Sequence, residues 1–317
     1  MEELKQAAGV AIRDCIGVRE GENVVVVTDQ PLRRIGVAFW EVAREITTEA
    51  ILCEIVPRKT NGEEPPKAVA NLLKACDVFI IPTSKSLSHT NARREACASG
   101  ARGVTLPNIT EDVMKRTLVA DYKKIADRTR EIVSAIAGAK RARVTTAKGT
   151  DIEMSLEGRP CHEDTGIVRN AGDFSNLPAG EAYLAPIEGS ASGRIVVDGS
   201  CAGVGVIETP IEITVVDGYA TEIKGGREAE SLTRLISPFG KLARNIAELG
   251  IGTNDMATLS GNVLEDEKVM GTVHIALGDN VSMGGNVSVP SHLDLIIKQP
   301  TLTIDGREII KDGKLLM

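Results

Sequence analysis

The sequence contains very few aromatic residues, which make up 3% of its 317 residues and include a single tryptophan. Proteins that bind single-stranded nucleic acid commonly stack bases on aromatic side chains, and this chain lacks such a platform. It also lacks any basic run longer than three residues, and its formal net charge is −7. Because a net negative protein repels phosphates, we expect neither a nucleic acid nor a membrane as its partner.

Long apolar segments and paired cysteines are missing as well. No stretch of about 18 apolar residues occurs, so no transmembrane helix is predicted. The N-terminal run MEELKQAAGVAIRDCIGV has no apolar signal core, which favours a cytoplasmic location. The six cysteines form no C-x-x-C pair, and this predicts reduced thiols that are mostly buried. Cys161, in the polar run RPCHEDTG, is the exception.

The first 140 residues alternate between helical patterns and short apolar runs such as Asn23–Asp29 and Asp77–Pro82. Strands that are apolar on both faces and alternate with helices are typical of a parallel sheet covered by helices. We therefore predict an α/β fold whose first domain, residues 1–140, is Rossmann-like and three-layered. This half has no G-x-G-x-x-G or G-x-x-x-x-G-K-[ST] motif, so no dinucleotide or nucleoside triphosphate site is expected.

The pattern changes after residue 140, where strand-like runs flank short turn sequences. These turns predict antiparallel hairpins, and so a β-rich α+β domain over residues 141–317. The candidate metal-binding and catalytic residues described next lie in this domain. One helix is predicted over about 227–248, with an interruption at Pro238. The four turn sequences are Lys148-Gly149, Asp217-Gly218, Asp305-Gly306 and Asp312-Gly313.

Two of the four histidines lie on predicted strands near the end of the chain. His292 precedes Asp294 by two residues, and residues at this spacing on a strand share one face with Cα atoms about 6.6 Å apart. His274 would supply a second nitrogen from a neighbouring strand. Two imidazoles and one carboxylate are a recognised set of ligands for a divalent metal. A carboxylate among Leu and Ile residues also requires a partner if it is buried, so we predict a metal site here.

Two glutamates are further candidates for this site. Glu181 follows the turn-rich run NLPAG and opens an apolar segment. Glu248 is predicted at the C-terminus of a helix, where a carboxylate is unfavourable unless a cation compensates for it. From the residues alone, either glutamate fits a solvated surface position equally well.

Four runs in the C-terminal half carry a resemblance: NLPAGEAYLAP (176–186), AELGIGTN (247–254), EDEKVMGTVHIALG (265–278) and SHLDLI (291–296). They resemble, in the same order, the thermophilic aminopeptidase family, which is the aminopeptidase T and PepS group of metallopeptidases. The resemblance implies a dimeric hydrolase that removes N-terminal residues from small peptides with two divalent ions, zinc, cobalt or manganese. The ligands that it implies are Glu181, Glu248, His274, His292 and Asp294.

Three more residues complete the expected active site. Glu267, in the EDEK run, is predicted to shuttle a proton during hydrolysis. The run SLSHTNARREACASGAR (86–102) places His89 at the start of a helix and Arg93 four residues later. His89 and Arg93 are candidates for anchoring a substrate carboxylate, and the alternative is that they belong to a solvated basic helix.

The chain departs from the aminopeptidase pattern, and this leaves alternatives open. The family typically has a tyrosine seven residues after the histidine of G-T-[VI]-H, whereas this chain has Val281, and the segment up to His292 is short. One alternative is a mononuclear Fe(II) ring-cleaving dioxygenase of the dihydroxypyridine type, which resembles this peptidase family and would use His274, His292 and Asp294. Another is a non-enzymatic metal- or ligand-binding protein. Two ions are expected if Glu181 and Glu248 both reach the metal, and one iron if neither does.

Overall fold

A computed structural model of the chain describes residues 1–316. The chain forms two compact units, of which the first comprises Met1–Ala126 and Thr165–Ala179. The second comprises Asp127–Asp164 and the described chain from Gly180 onward. The chain therefore passes between the units more than once. The single boundary predicted near residue 140 stays a prediction.

The strands are short and number twenty among the described residues. In chain order they are β1 (Val24–Asp29), β2 (Ala50–Ile55), β3 (Val78–Ile81), β4 (Arg102–Thr105), β5 (Arg141–Thr145), β6 (Asp151–Ser155), β7 (His162–Asp164), β8 (Phe174–Asn176), β9 (Glu181–Leu184), β10 (Ser192–Val197), β11 (Ser200–Cys201), β12 (Gly205–Val206), β13 (Ile211–Val216), β14 (Tyr219–Lys224), β15 (Ile246–Gly252), β16 (Val273–Gly278), β17 (His292–Ile297), β18 (Thr301–Ile304), β19 (Arg307–Lys311) and β20 (Lys314–Leu315).

The helices fall mainly in the first half of the chain. The α-helices are α1 (Glu2–Val10), α2 (Arg33–Ala43), α3 (Lys67–Lys74), α4 (Asn91–Ala98), α5 (Glu111–Thr117), α6 (Tyr122–Ile136), α7 (Arg227–Ile236) and α8 (Val263–Asp266). A π-helix, Ala11–Ile16, continues α1, and the 3₁₀ segments are Gln30–Leu32, Ser237–Arg244 and Val281–Met283. No helix in residues 1–316 is long and apolar enough to cross a membrane.

The first unit contains the predicted parallel sheet, with strand order β2-β1-β3-β4-β8 and parallel pairing throughout. Its core includes Val25, Val27 and Phe79, from strands that are buried along their length. The predicted α/β class is therefore confirmed. The sequence did not indicate β8, which pairs with β4 although about seventy residues separate them.

The second unit contains two antiparallel sheets. One has the order β14-β13-β10-β6-β5-β18-β19-β20, and the other has the order β12-β11-β17-β16-β15-β9-β7. Residues from both sheets form one apolar core, in which Leu249, Ile275 and Leu295 represent the seven-stranded sheet. Because side chains alternate between the two faces of a strand, the residues that precede these three point away from that core. They are Glu248, His274 and Asp294.

Three of the four predicted two-residue hairpins are confirmed. Asp217, Asp305 and Asp312 have φ values of 48°, 46° and 47°, and the glycine after each also has a positive φ. Positive φ at both central residues is the requirement of the tight hairpin turn that suits the twist of the strands. The fourth prediction was wrong, because Lys148-Gly149 lies within a five-residue connection from Thr145 to Asp151.

The helix predicted over 227–248 is shorter than expected. Helix α7 ends at Ile236, and the 3₁₀ segment that follows contains Pro238 and the non-helical Gly240, with φ 65°. Pro removes a backbone donor and Gly240 turns the chain, so the helix cannot continue. Glu248 consequently lies in the middle of strand β15 and not at a helix terminus.

Candidate metal centre

Four neighbouring strands of the seven-stranded sheet carry all five predicted ligands. Strands β17, β16, β15 and β9 are adjacent and antiparallel. Residues that are paired across antiparallel strands share a face, as do residues two apart along a strand. The register pairs Ala276 with both Glu248 and Asp294, Gly250 with His274, and Gly252 with Glu181. All five side chains therefore project from one face, as the strand positions of His292 and Asp294 predicted.

Glu248 lies between the two imidazoles. Its Oε1 is 3.4 Å from Nε2 of His274, and its Oε2 is 3.0 Å from Nε2 of His292. Asp294 Oδ1 is 3.4 Å from the same His292 nitrogen, and Glu181 Oε2 is 3.4 Å from Nε2 of His274. The ligand atoms thus form two groups, each within 4.8 Å, that share Glu248. The metal site predicted from strand spacing alone comprised two histidines and Asp294, and it did not include this shared glutamate.

Unpaired buried atoms show that this cluster fits a metal. Both ring nitrogens of His274 and Oε2 of Glu181 are buried and have no hydrogen-bond partner within residues 1–316. Buried polar atoms are nearly always paired in folded proteins, so unpaired atoms that face one another fit a ligand held between them. The donors are imidazole nitrogens and carboxylate oxygens, which suit divalent transition metals. These residues can therefore hold a metal ion.

The backbone fixes the orientation of His292. Its Nδ1 lies 2.7 Å from the carbonyl oxygen of Asp279. A carbonyl can only accept, so Nδ1 is the donor, and Nε2 faces Glu248 and Asp294. This arrangement, in which the remote ring nitrogen donates to a carbonyl, is usual for metal-ligating histidines. The His292 side chain is 33% exposed, whereas the other four candidate ligands are nearly buried.

The charges of the cluster shift the pKa values of its members. Burial lowers the pKa of His274, but contact with Glu248 and the charge of Glu181 raise it to about 9. Burial likewise lowers the pKa of His292, but Asp294 and Glu248 raise it well above its usual value. Burial raises the pKa of Glu248, and the two imidazoles outweigh this and lower it strongly. Because imidazole binds a metal in its neutral form, a bound cation would replace these protons.

A buried lysine, which the sequence did not single out, lies beside the cluster. Lys268 is 1% exposed, and its Nζ donates to Oε1 of Glu181 and lies 2.8 Å from Oε1 of Glu267 and 3.4 Å from Oδ2 of Asp164. Burial lowers the pKa of Lys268, but these carboxylates raise it well above its usual value. Burial raises the pKa of Glu267 to about 8 despite the lysine. Lys268 therefore contacts both Glu267, the proton-shuttle candidate, and Glu181, a candidate ligand.

The remaining predicted residues lie in a different part of the chain. His89 and Arg93 belong to the first unit, whereas the five candidate ligands belong to the second. Arg93 Nε donates to the carbonyl oxygen of Ser88 at 2.6 Å, and its guanidinium lies 4.1 Å from the centre of the Phe174 ring. The role of His89 and Arg93 in substrate binding stays a prediction. Val281 is 50% exposed and begins a 3₁₀ turn.

The sequence matches the model of one protein family from residue 6 to residue 317. That family is NicX, described as 2,5-dihydroxypyridine 5,6-dioxygenase. The chain belongs to this family. A relative of that name from Pseudomonas putida KT2440 is 25% identical over 267 residues, which cover 78% of this chain and 73% of the relative. The NicX chain is therefore a member of an enzyme family.

Two solved structures share the fold of this NicX chain. The 2,5-dihydroxypyridine dioxygenase of P. putida KT2440 has a TM-score of 0.83 at 20% identity, over 99% of this chain and 96% of the other. Wild-type AmpT from Thermus thermophilus has a TM-score of 0.75 at 17% identity, over 100% and 99% of the two chains. At these identities the likeness shows the fold alone.

The family corrects the first functional prediction. The relatives are named as dioxygenases and not as hydrolases or aminopeptidases, so the prediction of an aminopeptidase-like hydrolase was wrong. The ring-cleaving dioxygenase alternative agrees with the family. The error has a physical basis, because one fold with the same types of ligand can support different reactions.

Proposed function

We propose that this chain is a non-haem iron dioxygenase that opens the ring of a dihydroxylated pyridine. The family match over residues 6–317 carries the proposal, and the cluster of imidazoles and carboxylates supports it. Following the name of the relatives, we propose that the ring opens between carbons 5 and 6. The ring supplies the electrons that reduce O₂, and both oxygen atoms enter the product. The reaction therefore requires no external reductant.

The proposed cofactor is Fe(II), held by His274, His292 and Asp294 together with Glu248, which lies between the imidazoles. Two histidines and a carboxylate with open positions are the ligand set with which non-haem Fe(II) enzymes activate O₂. The partly exposed side of His292 is the proposed direction from which substrate approaches. Glu267 is proposed to exchange a proton with the substrate through Oε2, because Lys268 contacts its Oε1.

We propose one iron ion per chain, although Glu181 and Glu248 both belong to the cluster. The ammonium of Lys268 already binds Oε1 of Glu181 and is buried. A second divalent ion at Glu181 would lie close to this positive charge, and repulsion between charges is strong where water is excluded. In this proposal Lys268 takes the place of the second cation and neutralises the charge of Glu181.

The proposed partner is a small aromatic substrate, and we propose no nucleic acid or membrane partner. The low aromatic content and the net charge of −7 support the exclusion of nucleic acid. A homodimer is also proposed, and light scattering on the purified protein tests it. A mass near twice 33.7 kDa is expected, whereas a mass near 33.7 kDa would contradict it.

The test begins with protein purified without chelator and reconstituted anaerobically with Fe(II). We expect about one iron per chain by elemental analysis. We also expect oxygen uptake with 2,5-dihydroxypyridine, with both atoms of ¹⁸O₂ recovered in the product by mass spectrometry. Zinc-loaded protein serves as the matched control, because zinc fills the same ligands but has no redox chemistry.

The Asp294→Asn variant provides a second control, since it keeps the shape of the side chain and removes its charge. Iron content and oxygen uptake should fall together in this variant. Iron-loaded protein that consumes no oxygen with this substrate would overturn the proposed function. Two tightly bound ions per chain would overturn only the single-ion arrangement.

A further inference from the structure

Residues 279–291 form the hairpin loop between β16 and β17. These two strands carry three of the candidate ligands, His274, His292 and Asp294. The carbonyl oxygen of Asp279, which lies 2.7 Å from Nδ1 of His292, belongs to this hairpin loop and not to a strand. The orientation of the His292 ring therefore depends on where the loop holds Asp279.

Two consecutive glycines, Gly284 and Gly285, lie in the middle of the hairpin loop. Glycine loses more backbone freedom on folding than any other residue, so this segment needs fixed contacts to keep one conformation. Gly284 has a φ of 80°, and a Cβ atom on Gly285 would lie 2.0 Å from Cγ of Asn280. The glycines thus let the backbone turn closely around the side chain of Asn280, which is fully buried.

A carboxylate from outside the hairpin loop supplies such contacts. Glu188 follows β9, 92 residues before Asn280, and belongs to the same unit as the loop. Its Oε1 accepts hydrogen bonds from Nδ2 of Asn280 at 2.9 Å and from the backbone N–H of Asn286 at 2.7 Å. Oδ1 of Asn280 accepts in turn from the backbone N–H of Val287 at 2.9 Å. Glu188 therefore ties both sides of the hairpin loop together through one oxygen.

The other oxygen of Glu188 pairs with Arg159, which also binds the loop. Nη2 of Arg159 donates to Oε2 of Glu188, and Nη1 donates to the carbonyl oxygen of Gly284. The side chains of Arg159 and Glu188 are only 8% and 21% exposed, so water screens this pair weakly. Burial raises the pKa of Glu188, but hydrogen bonds from Asn286 and Asn280 and the charge of Arg159 lower it below its ordinary value. The hydrogen bonds from the loop to Glu188 are therefore charge-assisted, which makes them stronger than neutral ones.

We propose that Glu188 is a positioning residue for the metal ligand His292. Through Asn280 it holds the hairpin loop, and the loop keeps the carbonyl oxygen of Asp279 within reach of Nδ1 of His292. Nε2 of His292 then faces Glu248 before a metal is bound. A ring that is already oriented loses less conformational entropy when it binds a metal, so the affinity is higher. The inference rests on the metal site of the proposed function and is independent of the substrate.

The test compares the Kd for Co(II) of wild-type protein with that of Glu188→Ala, measured by competition with a chromophoric chelator. The visible absorption of bound Co(II) is recorded as well, because it depends on the geometry of the ligands. Mutation of a group that orients a metal ligand usually lowers metal affinity at least about tenfold, and we expect a rise of this size in Kd together with a changed spectrum. Glu188→Gln keeps an oxygen that can accept from Asn280, so it should recover part of the lost affinity.

Glu22→Ala is the matched control. Glu22 pairs with Arg102 in the first unit, and their side chains are 16% and 7% exposed, close to the values for Glu188 and Arg159. Both alanine variants should lower the Tm of the protein, because each removes one partner of a largely buried ion pair. Only Glu188→Ala should change the Kd and the spectrum of Co(II).

A double-mutant cycle tests whether Glu188 acts through His292. In a His292→Ala background, Glu188→Ala should cause little further loss of Co(II) affinity, because the group that it positions is absent. Losses that add in the double variant would overturn the inference. Asn280→Ala is a second variant in case Glu188→Ala does not fold, since it keeps the pair of Glu188 with Arg159 and breaks the link to the loop. It should raise the Kd by a similar factor.

The outcomes separate this inference from the proposed function. If Glu188→Ala and Asn280→Ala lower the Tm and keep the wild-type Kd and spectrum, Glu188 has only a structural role and the inference is overturned, whereas the function stands. If iron-loaded wild-type protein consumes no oxygen with 2,5-dihydroxypyridine, the proposed function fails, and the Co(II) data still decide the role of Glu188. If wild-type protein binds no divalent metal, both are overturned.

Discussion

A Cβ atom on Gly250 would lie 1.9 Å from Nε2 of His274. The imidazole therefore occupies the space that any other residue at position 250 would need for its side chain. Gly250 and His274 are register partners on β15 and β16, so a shift of either strand would not relieve the overlap without breaking the sheet. A glycine at this position thus allows the ring to lie over the neighbouring strand, close to Glu181 and Glu248.

Replacing Gly250 with alanine should displace the His274 ring and weaken metal binding. The new methyl group would overlap Nε2 of His274, the proposed ligand atom. Loss of a contact that orients a metal ligand usually lowers metal affinity at least about tenfold, and we expect a fall of at least this size for a divalent metal. Competition with a chromophoric chelator measures this change. Gly9→Ala is the control, since its Cβ would meet only the flexible end of Arg13. Unchanged metal affinity in Gly250→Ala would show that His274 is not a ligand.

The Glu248→Gln variant should lose more metal affinity than Glu181→Gln. Both carboxylate oxygens of Glu248 face imidazoles, whereas Lys268 already binds one oxygen of Glu181. We expect a loss of about 100-fold or more for Glu248→Gln, beyond what orienting contacts usually provide. Isothermal titration with a divalent metal measures both variants, with the exposed Glu212→Gln as the control. Equal losses at positions 181 and 248 would favour two ions.

The shared sheet face of two candidate metal ligands was predictable because the relevant pattern is local. His292 and Asp294 lie two apart on a strand whose neighbours are apolar, so their shared face follows from alternation alone. Glu248 was assigned to the end of a helix, because the Gly250 that follows is typical of a helix stop. In the structure every residue of Ile246–Gly252 is buried, so this strand has no alternation that could have corrected the assignment. The place of Glu248 between two imidazoles depends on the register of three strands, which no local pattern contains.

The sequence could not single out Lys268, nor decide between the two predicted reactions, for a different reason. Lysine is almost never fully buried unless it is paired, and its partners Asp164, Glu181 and Glu267 come together only in the folded chain. The reaction class depends on details beyond the ligand types. The same five residues fit an aminopeptidase and a dioxygenase, and the family match was needed to decide between them.

Replacing Lys268 with methionine should strongly destabilise the protein. The variant keeps most of the apolar stem and leaves Glu181 and Glu267 buried without their cation. Removing one partner of a buried ion pair typically costs about 3–5 kcal/mol. Urea unfolding measures the change in the free energy of unfolding. The control is Lys311→Met, an exposed lysine that pairs with Glu308, for which less than about 1 kcal/mol is expected. Similar effects for the two variants would contradict the buried ion pairs.

Metal-free protein should lose stability as the pH rises from about 5 to 9. The pKa of His274 is raised from 6.5 to about 9, so its stabilising charge is fully present below pH 6.5 and is lost as the pH rises through 9. The pKa of Glu267 is raised from 4.5 to about 8. Between these two pH values the unfolded chain ionises this carboxyl while the folded chain keeps it protonated, so the stability of the fold falls there as well. Thermal unfolding of chelator-treated protein across this range should show a falling Tm.

Metal-loaded protein should behave in the opposite way, which provides the control for this pH dependence. A metal binds neutral imidazole, so its binding releases protons and stabilises the fold more as the pH rises. The His274→Gln variant, treated with chelator, should show a smaller decline in Tm above pH 6.5, because it lacks the group that titrates there. A Tm of metal-free wild-type protein that rises between pH 6.5 and 9 would contradict the close approach of His274 to Glu181 and Glu248.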